Sequence, residues 1–328
     1  MVNSYCYLGY VFTTMNSAKR GTLHLASKGK KVVLQINRVL SKCKEMTANT
    51  FFKIFDTKIQ PILLYSAELW GLNKLEHLEK IHMLACKRFL GVPGRTPNKM
   101  IYGELARYPL YINSYCACMR YWFKLLQMDA SRLPNKAYQM LQNMDSVGVH
   151  CWVSKIREIL CLTGFNIVWL QQGVGDVKAF LRIFKQRLVD MFIQEWSGTI
   201  RDRDRYDVYR TFKTVFEKEK YISDMDSFYF RVAISQVRLN ALPLNNNIHR
   251  YSTIPLKKCC QFCKNIIENE HHFLFECSTY NDLRTKFLKE SVNVPIQSLL
   301  KVTNPVYRYN LSRFVFHAIN RRKRIMQI

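Results

Sequence analysis

The residues best suited to chemistry in this chain lie between positions 259 and 277. Cys259-Cys260-Gln261-Phe262-Cys263 is followed by His271-His272 and then by Phe273-Leu274-Phe275-Glu276-Cys277. Read as donors, the run is C-x2-C, eight residues, His, four residues, Cys. Zinc takes four nitrogen or sulfur donors at tetrahedral corners, and a C-x2-C turn supplies two thiolates from one bend. A second pair farther along closes the shell, which leaves no open position and makes the site structural rather than catalytic. Four of the 11 Cys and two of the 8 His fall in this stretch, a clustering at ligand spacing that favours a zinc knuckle over buried free cysteines. Spacing alone leaves two choices open: Cys259 in place of Cys260, and His271 in place of His272. The interleaved Phe262, Ile266, Ile267, Phe273, Leu274 and Phe275 supply a miniature core.

The rest of the chain has to position this site and answer its own charge. Its 328 residues carry 50 Lys+Arg against 24 Asp+Glu, a net charge of +26. An excess of that size repels itself in a compact state unless an anionic partner is usually near. Nucleic acid is the commonest such partner, and a membrane surface is the alternative. Hydrophobic residues make up 48%, a globular composition, and the length allows two or more domains. No apolar run reaches the ~20 residues of a transmembrane helix, and no basic amphipathic segment carries the Trp/Phe anchors of a membrane-surface helix. Met1-Val2-Asn3-Ser4-Tyr5-Cys6 lacks the build of a secretory signal. Cysteine is scattered and odd in number, as in a reducing compartment, so nucleus or cytoplasm is the expected location.

Hydrophobic periodicity makes the chain mainly helical. Tyr5 to Phe12 alternates aromatic and small residues and reads as a strand with a turn or bulge at Gly9. From Ser17 to about Met46, Leu23, Ala26, Val33, Ile36, Val39 and Leu40 recur at threes and fours, with a break allowed at Gly29. The opposite face carries Lys19, Arg20, Lys28, Lys30, Lys31, Arg38, Lys42 and Lys44. Glu45 is the only acidic residue between 17 and 46, so a phosphate-facing surface is preferred to plain solvation. Thr47 caps a second helix that buries Phe51, Phe52, Phe55, Ile59, Ile62 and Leu63, and Pro61 kinks it or starts another. A third helix runs from about Leu75 to Leu90 and ends at Gly91-Val92-Pro93-Gly94-Arg95.

An aromatic-rich helix follows from about Ile112 to Met128. Its Tyr111, Tyr115, Tyr121, Trp122 and Phe123 read as core rather than as base-stacking groups. Leu133-Pro134-Asn135 breaks it, and further helices are expected over 136–144, 151–162, 176–196, 205–217 and Met225 to Leu239, the last carrying Arg231 and Arg238. Arg201 to Arg205 reads as a loop whose Asp202 and Asp204 pair with the arginines. A polar turn from Asn245 to Arg250 leads through Lys257-Lys258 into the cysteine cluster, and helical patterns return at 279–290 and 305–320. The final Arg321-Arg322-Lys323-Arg324 reads equally as a nuclear-localisation or phosphate-contact patch and as a basic helix end favoured by the helix dipole.

Several of these stretches resemble the C-terminal part of non-LTR retrotransposon (LINE-type) reverse transcriptases. Cys260…Cys263…Glu268-Asn269-Glu270-His271-His272-Phe273-Leu274-Phe275-Glu276-Cys277-Ser278-Thr279-Tyr280…Leu283-Arg284 resembles that family's zinc-binding tail. There the His directly precedes Phe-Leu, and the last Cys is soon followed by Tyr and Leu-Arg. The resemblance implies Cys260, Cys263, His272 and Cys277 as the ligands of one structural Zn2+. Tyr7-Leu8-Gly9 resembles the hairpin that leaves the polymerase palm, and Pro61-Ile62-Leu63-Leu64-Tyr65 with Glu68-Leu69-Trp70-Gly71 resembles the thumb. The specific portions are 5–10, 61–95 and 231–284; the middle is similar in general character only. The resemblance implies a palm-edge strand remnant at 1–16, a helical thumb-like bundle at 17–95, a helical connector at 96–220, a basic helix with the zinc knuckle at 221–290, and a basic C-terminal helix at 291–328. RNA or DNA is then the expected partner, contacted through Lys19, Arg20, Lys28, Lys30, Lys31, Arg38, Arg231, Arg238, Arg250, Lys257, Lys258, Arg321, Arg322, Lys323 and Arg324. The rest of a reverse transcriptase is a second expected partner, and its palm, fingers and endonuclease would lie upstream of Met1.

Templated polymerisation needs paired carboxylates that hold two divalent metals. The family carries them in an aromatic-x-Asp-Asp motif. This chain contains no Asp-Asp dipeptide, and Asp224 and Asp226 have no strand-turn-strand pattern around them. No Ser/His/Asp or Cys/His triad stands out, and Gly173-Val174-Gly175 is too little for a phosphate-cradling loop. The chain is therefore expected to bind nucleic acid without chemistry of its own. The alternative is a domesticated protein-interaction module that uses the same knuckle; the charge of +26 favours nucleic acid.

Overall fold

The computed structural model describes residues 3–14, 18–42, 46–73, 76–224, 227–288, 300–301 and 304–326, with backbone only at Asn37, Leu40, Ser41 and Lys42. Lys44, Asp226 and positions 289–290 lie outside the described residues. The described chain is mainly helical with one small sheet. Strand β1 (Ser4–Tyr7) pairs antiparallel with β2 (Tyr10–Thr13), Ser4 opposite Thr13 and Tyr7 opposite Tyr10. Leu8 at φ 47° and Gly9 at φ 87° both take the left-handed region, as a two-residue hairpin turn requires. The expected strand is thus a hairpin that pairs with itself.

The helices in order are α1 (Ala18–Lys42), α2 (Ala48–Ile54), α3 (Gln60–Leu63), α4 (Ala67–Trp70), α5 (Glu76–Leu90), α6 (Asn98–Leu105), α7 (Leu110–Leu126), α8 (Leu133–Ser146), α9 (Trp152–Leu162) and α10 (Asn166–Leu170). They continue with α11 (Val177–Asp202), α12 (Asp207–Arg210), α13 (Lys220–Asp224), α14 (Phe228–Arg238), α15 (Asn245–Ile248), α16 (Asn281–Phe287) and α17 (Pro305–Ile325). None among the described residues is long and apolar enough to cross a membrane.

Local chemistry explains where these elements start, stop and depart from expectation. α1 passes through Gly29 unbroken; a Cβ there would meet Leu63 at 2.5 Å, so this glycine serves close packing rather than a bend. The Thr47 hydroxyl accepts the Thr50 N–H at 3.2 Å, the cap expected for α2. α2 runs into α3 through a π-helical turn at Phe55–Ile59, and Pro61, which has no N–H to give, follows directly on that widened turn. Leu133-Pro134-Asn135 opens α8, and Asn135 donates back to the carbonyls of Leu125 and Met128 at 3.0 Å, closing the end of α7. The helix expected over 205–217 is reduced to α12 after a tight turn at Asp204–Tyr206. Buried Lys213 donates to the Glu217 carbonyl at 2.6 Å and to Glu219 at 2.5 Å, which holds the following stretch in a loop. Arg201 and Asp202 finish α11 instead of forming a loop, and they pair at 2.9 Å.

The chain forms two compact units, each assembled from three stretches. The first takes Met1–Gln35, Ile54–His82 and Tyr108–Trp196; the second takes Ile36–Lys53, Met83–Arg107 and Ser197–Ile328. In the first unit Tyr115, Trp122 and Phe123 of α7 are core, as expected, and Tyr111 and Tyr121 are half-buried. Trp122 donates to the Tyr138 hydroxyl at 3.0 Å, and Tyr138 donates to Gln172 at 2.7 Å, so neither buried polar edge is left unpaired.

The second unit is built around a buried ion cluster. Glu104 of α6 is wholly buried and accepts from Arg238 Nε and Nη2, each at 2.9 Å, from the Tyr209 hydroxyl at 3.0 Å and from the Tyr221 hydroxyl at 2.7 Å. Burial alone would raise this carboxyl; the Arg238 charge and hydrogen bonds outweigh it and hold Glu104 below the usual carboxylate range. α14, which carries Arg238, packs along α17 through pairs such as Phe230 with Tyr309 and Phe316.

Candidate metal centre and basic residues

The cysteine region folds as a small hairpin followed by a tight turn. Cys259 bridges Ile267, the Cys260 N–H donates to the Ile266 carbonyl at 2.7 Å, and the Glu268 N–H donates to the Lys258 carbonyl at 2.9 Å. Lys264 and Asn265 reverse the chain at φ 42° and 53°. The second donor pair comes from the π-helical turn His272–Glu276. Asn269 caps it by accepting the His272 N–H at 2.8 Å, and the Cys277 N–H returns to the His272 carbonyl at 2.8 Å. That last bond spans five residues and brings His272 and Cys277 to one side.

Ligand atoms of Cys260, Cys263, His272 and Cys277 all lie within 4.8 Å of one another. The Cys277 sulfur is 4.0 Å from that of Cys260 and 3.6 Å from that of Cys263. A disulfide needs about 2.05 Å, whereas a tetrahedral metal with bonds of about 2.3 Å separates its sulfurs by about 3.8 Å. His272 is 1% exposed, and its Nε2 has no hydrogen-bond partner. Its Nδ1 faces the Glu276 carboxylate at 3.2 Å, which orients the ring and leaves Nε2 for a metal. A buried nitrogen without a partner costs about 1–3 kcal/mol, which coordination would remove. The cluster could therefore hold one metal ion.

Without a cation the thiols are unevenly placed. Burial pushes Cys277 up to about 12 and also raises Cys260. At Cys263 burial is outweighed by hydrogen bonds from the Ser278 backbone and the Cys277 thiol, and its pKa is lowered. A bound cation reverses this logic by deprotonating its thiol ligands outright.

Of the alternatives left by spacing, Cys259 points to the Pro255 carbonyl at 3.6 Å, and His271 is exposed and pairs with Glu276 at 3.0 Å. Neither belongs to the cluster. The knuckle is also docked rather than free-standing. Phe273 packs on Tyr280 and on Phe314 of α17, and Arg284 donates to the carbonyls of Leu274 and Cys277 at 2.8 and 3.0 Å. Glu276 orients His272, and Asn245 ties Glu268 at 2.7 Å to the Cys259 carbonyl at 2.8 Å, roles that motif spacing does not single out. The stretch from Lys257 to Cys277 holds three lysines and three glutamates, so its charge gave no local signal for them.

The cations expected to meet phosphate divide into two groups. Lys19, Arg20, Lys28, Lys30 and Lys31 in the first unit are exposed. So are Arg38, Arg250, Lys257, Lys323 and Arg324 in the second, while Lys258 is half-buried. Arg231, Arg238 and Arg322 are corrections: all are buried and cannot reach a phosphate. Arg238 serves Glu104, and Arg322 serves Glu268. Arg231 lies 4.1 Å over the Phe89 ring and donates to the Met46 carbonyl at 3.2 Å, and burial lowers its pKa to about 10. Arg321 is half-buried and is tied to Asp282 at 2.6 Å and to the Thr279 carbonyl at 2.8 Å. Comparison of the chain with protein-family profiles, with curated proteins and with solved structures gives no match.

Proposed function

We propose that this chain binds nucleic acid without catalysing a reaction, as the thumb and zinc-knuckle part of a LINE-type reverse transcriptase. The zinc rests on one observation: three sulfurs converge with a buried His272 Nε2 that has no other partner. Three thiolates and a neutral imidazole around Zn2+ carry a net charge of −1, and Lys257, Lys258 and Lys264 lie in the same segment to offset it. Such sites contribute on the order of 10–16 kcal/mol of apparent binding energy near neutral pH.

RNA or DNA is supported by the net charge of +26 and by the exposed cations of α1 and the knuckle lead-in. A polymerase step has no support in the sequence, which lacks the Asp-Asp pair. Titration of the purified chain with single-stranded RNA, duplex DNA and hybrid at several salt concentrations is the experiment. Log K should fall by about 0.7–0.9 per neutralised phosphate as log salt rises. Primer extension with Mg2+ should stay at the no-protein level.

Exposed Tyr251, Leu256 and Ile267 beside the knuckle favour a second reading, a module that docks another protein. Salt-insensitive or undetectable nucleic-acid binding would select it.

A further inference from the structure

Two buried glutamates of the second unit are joined to an arginine: Glu104 to Arg238, which also reaches Glu219 at 3.0 Å, and Glu268 to Arg322. Glu270 is not. It is half-buried, and no Lys, Arg or His among the described residues lies within ion-pair distance of it. Its donors are neutral amides. Asn247 Nδ2 reaches Oε1 at 2.6 Å, and the Asn240 amide, turned nitrogen-inward, lies 2.5 and 3.0 Å from the two oxygens. The carboxylate lines a cavity of about 470 Å³. Buried Met100, Val237 and Leu239 give the cavity an apolar floor, and exposed Arg95, Arg205 and Arg250 stand at its rim.

These features constrain an occupant from both ends. A carboxylate whose contact partners are amides alone still has lone pairs for a cation or for paired N–H donors. Arg95, Arg205 and Arg250 outnumber the exposed carboxylates of Asp204 and Asp207 that line the same cavity, and Arg210 pairs with Asp207 at 2.5 Å, so the lining favours an anion over a second cation. The ligand should therefore present paired donors, an anionic group and an apolar body that fits against Met100, Val237 and Leu239. The volume falls in the range of small-molecule sites, about 300–1,000 Å³.

We infer that this cavity takes a guanine nucleotide, with the base edge on Glu270 and the phosphate at the rim arginines. Guanine N1–H and N2–H lie side by side and match the two oxygens of a carboxylate. Adenine and cytosine place an acceptor beside their amino group, and uracil has one N–H between two acceptors, so each sets a lone pair against Glu270. The site adds base selectivity to the electrostatic nucleic-acid binding proposed above and rests on that reading where the nucleotide belongs to a strand. A free guanine nucleotide offers the same chemistry.

The test is titration of the zinc-loaded full chain with GMP, AMP, CMP and UMP, and with oligouridine strands with and without one central guanosine. GMP should bind at least about tenfold tighter than the other three, the scale of one bidentate pair. Glu270→Gln should abolish that preference while zinc content and helicity stay unchanged. Arg95→Ala, at an exposed position, should weaken all four nucleotides alike. Tighter binding of the guanosine-containing strand assigns the site to a strand; preference for GMP alone assigns it to a free nucleotide. Equal or absent binding of the four nucleotides, or a preference that survives Glu270→Gln, overturns the inference. Salt-dependent oligouridine binding in that case leaves the nucleic-acid reading standing, and its absence removes both.

Discussion

Arg322 of α17 and Glu268 of the knuckle are joined by two hydrogen bonds, Nε to Oε1 at 2.8 Å and Nη2 to Oε2 at 2.7 Å, with both side chains buried. Arg322 also donates to Asn245 Oδ1 at 2.9 Å, and the Asn245 amide donates to the Cys259 carbonyl at 2.8 Å. The last helix thereby grips the residue next to the first metal-ligand candidate.

Breaking this pair should be worse than replacing it. Arg322→Ala leaves Glu268 buried and unpaired, at a cost of about 3–5 kcal/mol. The double variant Glu268→Gln with Arg322→Met removes both charges and should cost clearly less. Equilibrium urea unfolding measures both. Equal destabilisation of the two variants would mean that the charges do not interact.

Glu104 and Arg238 predict an acid dependence with a defined sign. The Glu104 carboxyl is lowered in the fold, so its stabilisation is fully present above the unfolded value of about 4.3 and is lost as pH falls through the folded value. Wild-type protein should therefore lose stability below about pH 4.3 more steeply than Glu104→Gln. Thermal melts across that range decide it, and parallel curves would contradict the assignment.

Much of the candidate site was legible because metal ligands must recur at spacings the backbone can fold. Spacing placed the donors but left Cys259 against Cys260 and His271 against His272 open, and only the resemblance of the His-Phe-Leu run selected the four that converge. Helical periodicity located α1, α5 and α7, and Leu8-Gly9 marked the hairpin turn. The buried ion pairs were not legible. Glu104 and Arg238 stand 134 positions apart, and Glu268 and Arg322 stand 54 apart, so nothing local distinguishes these arginines from solvated ones. Gly29 misled for a related reason: its packing partner, Leu63, is distant in sequence. The interleaving of the two units, each built from three stretches, likewise has no trace in a left-to-right reading.

The two adjacent histidines should behave oppositely. His272→Ala removes a donor from the cluster and should abolish metal retention. His271→Ala removes only an exposed pair with Glu276 and should leave retention within about fivefold, since exposed pairs contribute about 0–1 kcal/mol. Competition with a chromogenic chelator reads both, and the reverse order would transfer the ligand role to His271.

Neutralising the exposed face of α1 should weaken nucleic-acid binding through its salt slope. Lys28→Ala, Lys30→Ala and Lys31→Ala combined should lower the slope of log K against log salt by about 0.7–0.9 for each phosphate that is no longer neutralised. These side chains are exposed, so folding should be unaffected. An unchanged slope would mean that the phosphates are bound elsewhere.

Metal content of the purified full chain tests the central claim most directly. Elemental analysis should give about one zinc per chain, falling to near zero in Cys260→Ser and in Cys277→Ser, with residues 259–277 losing structure while the first unit keeps its own. Zinc near zero in the wild type, with Cys260→Ser causing no loss of structure, would leave these four residues as an ordinary buried cluster and contradict the account.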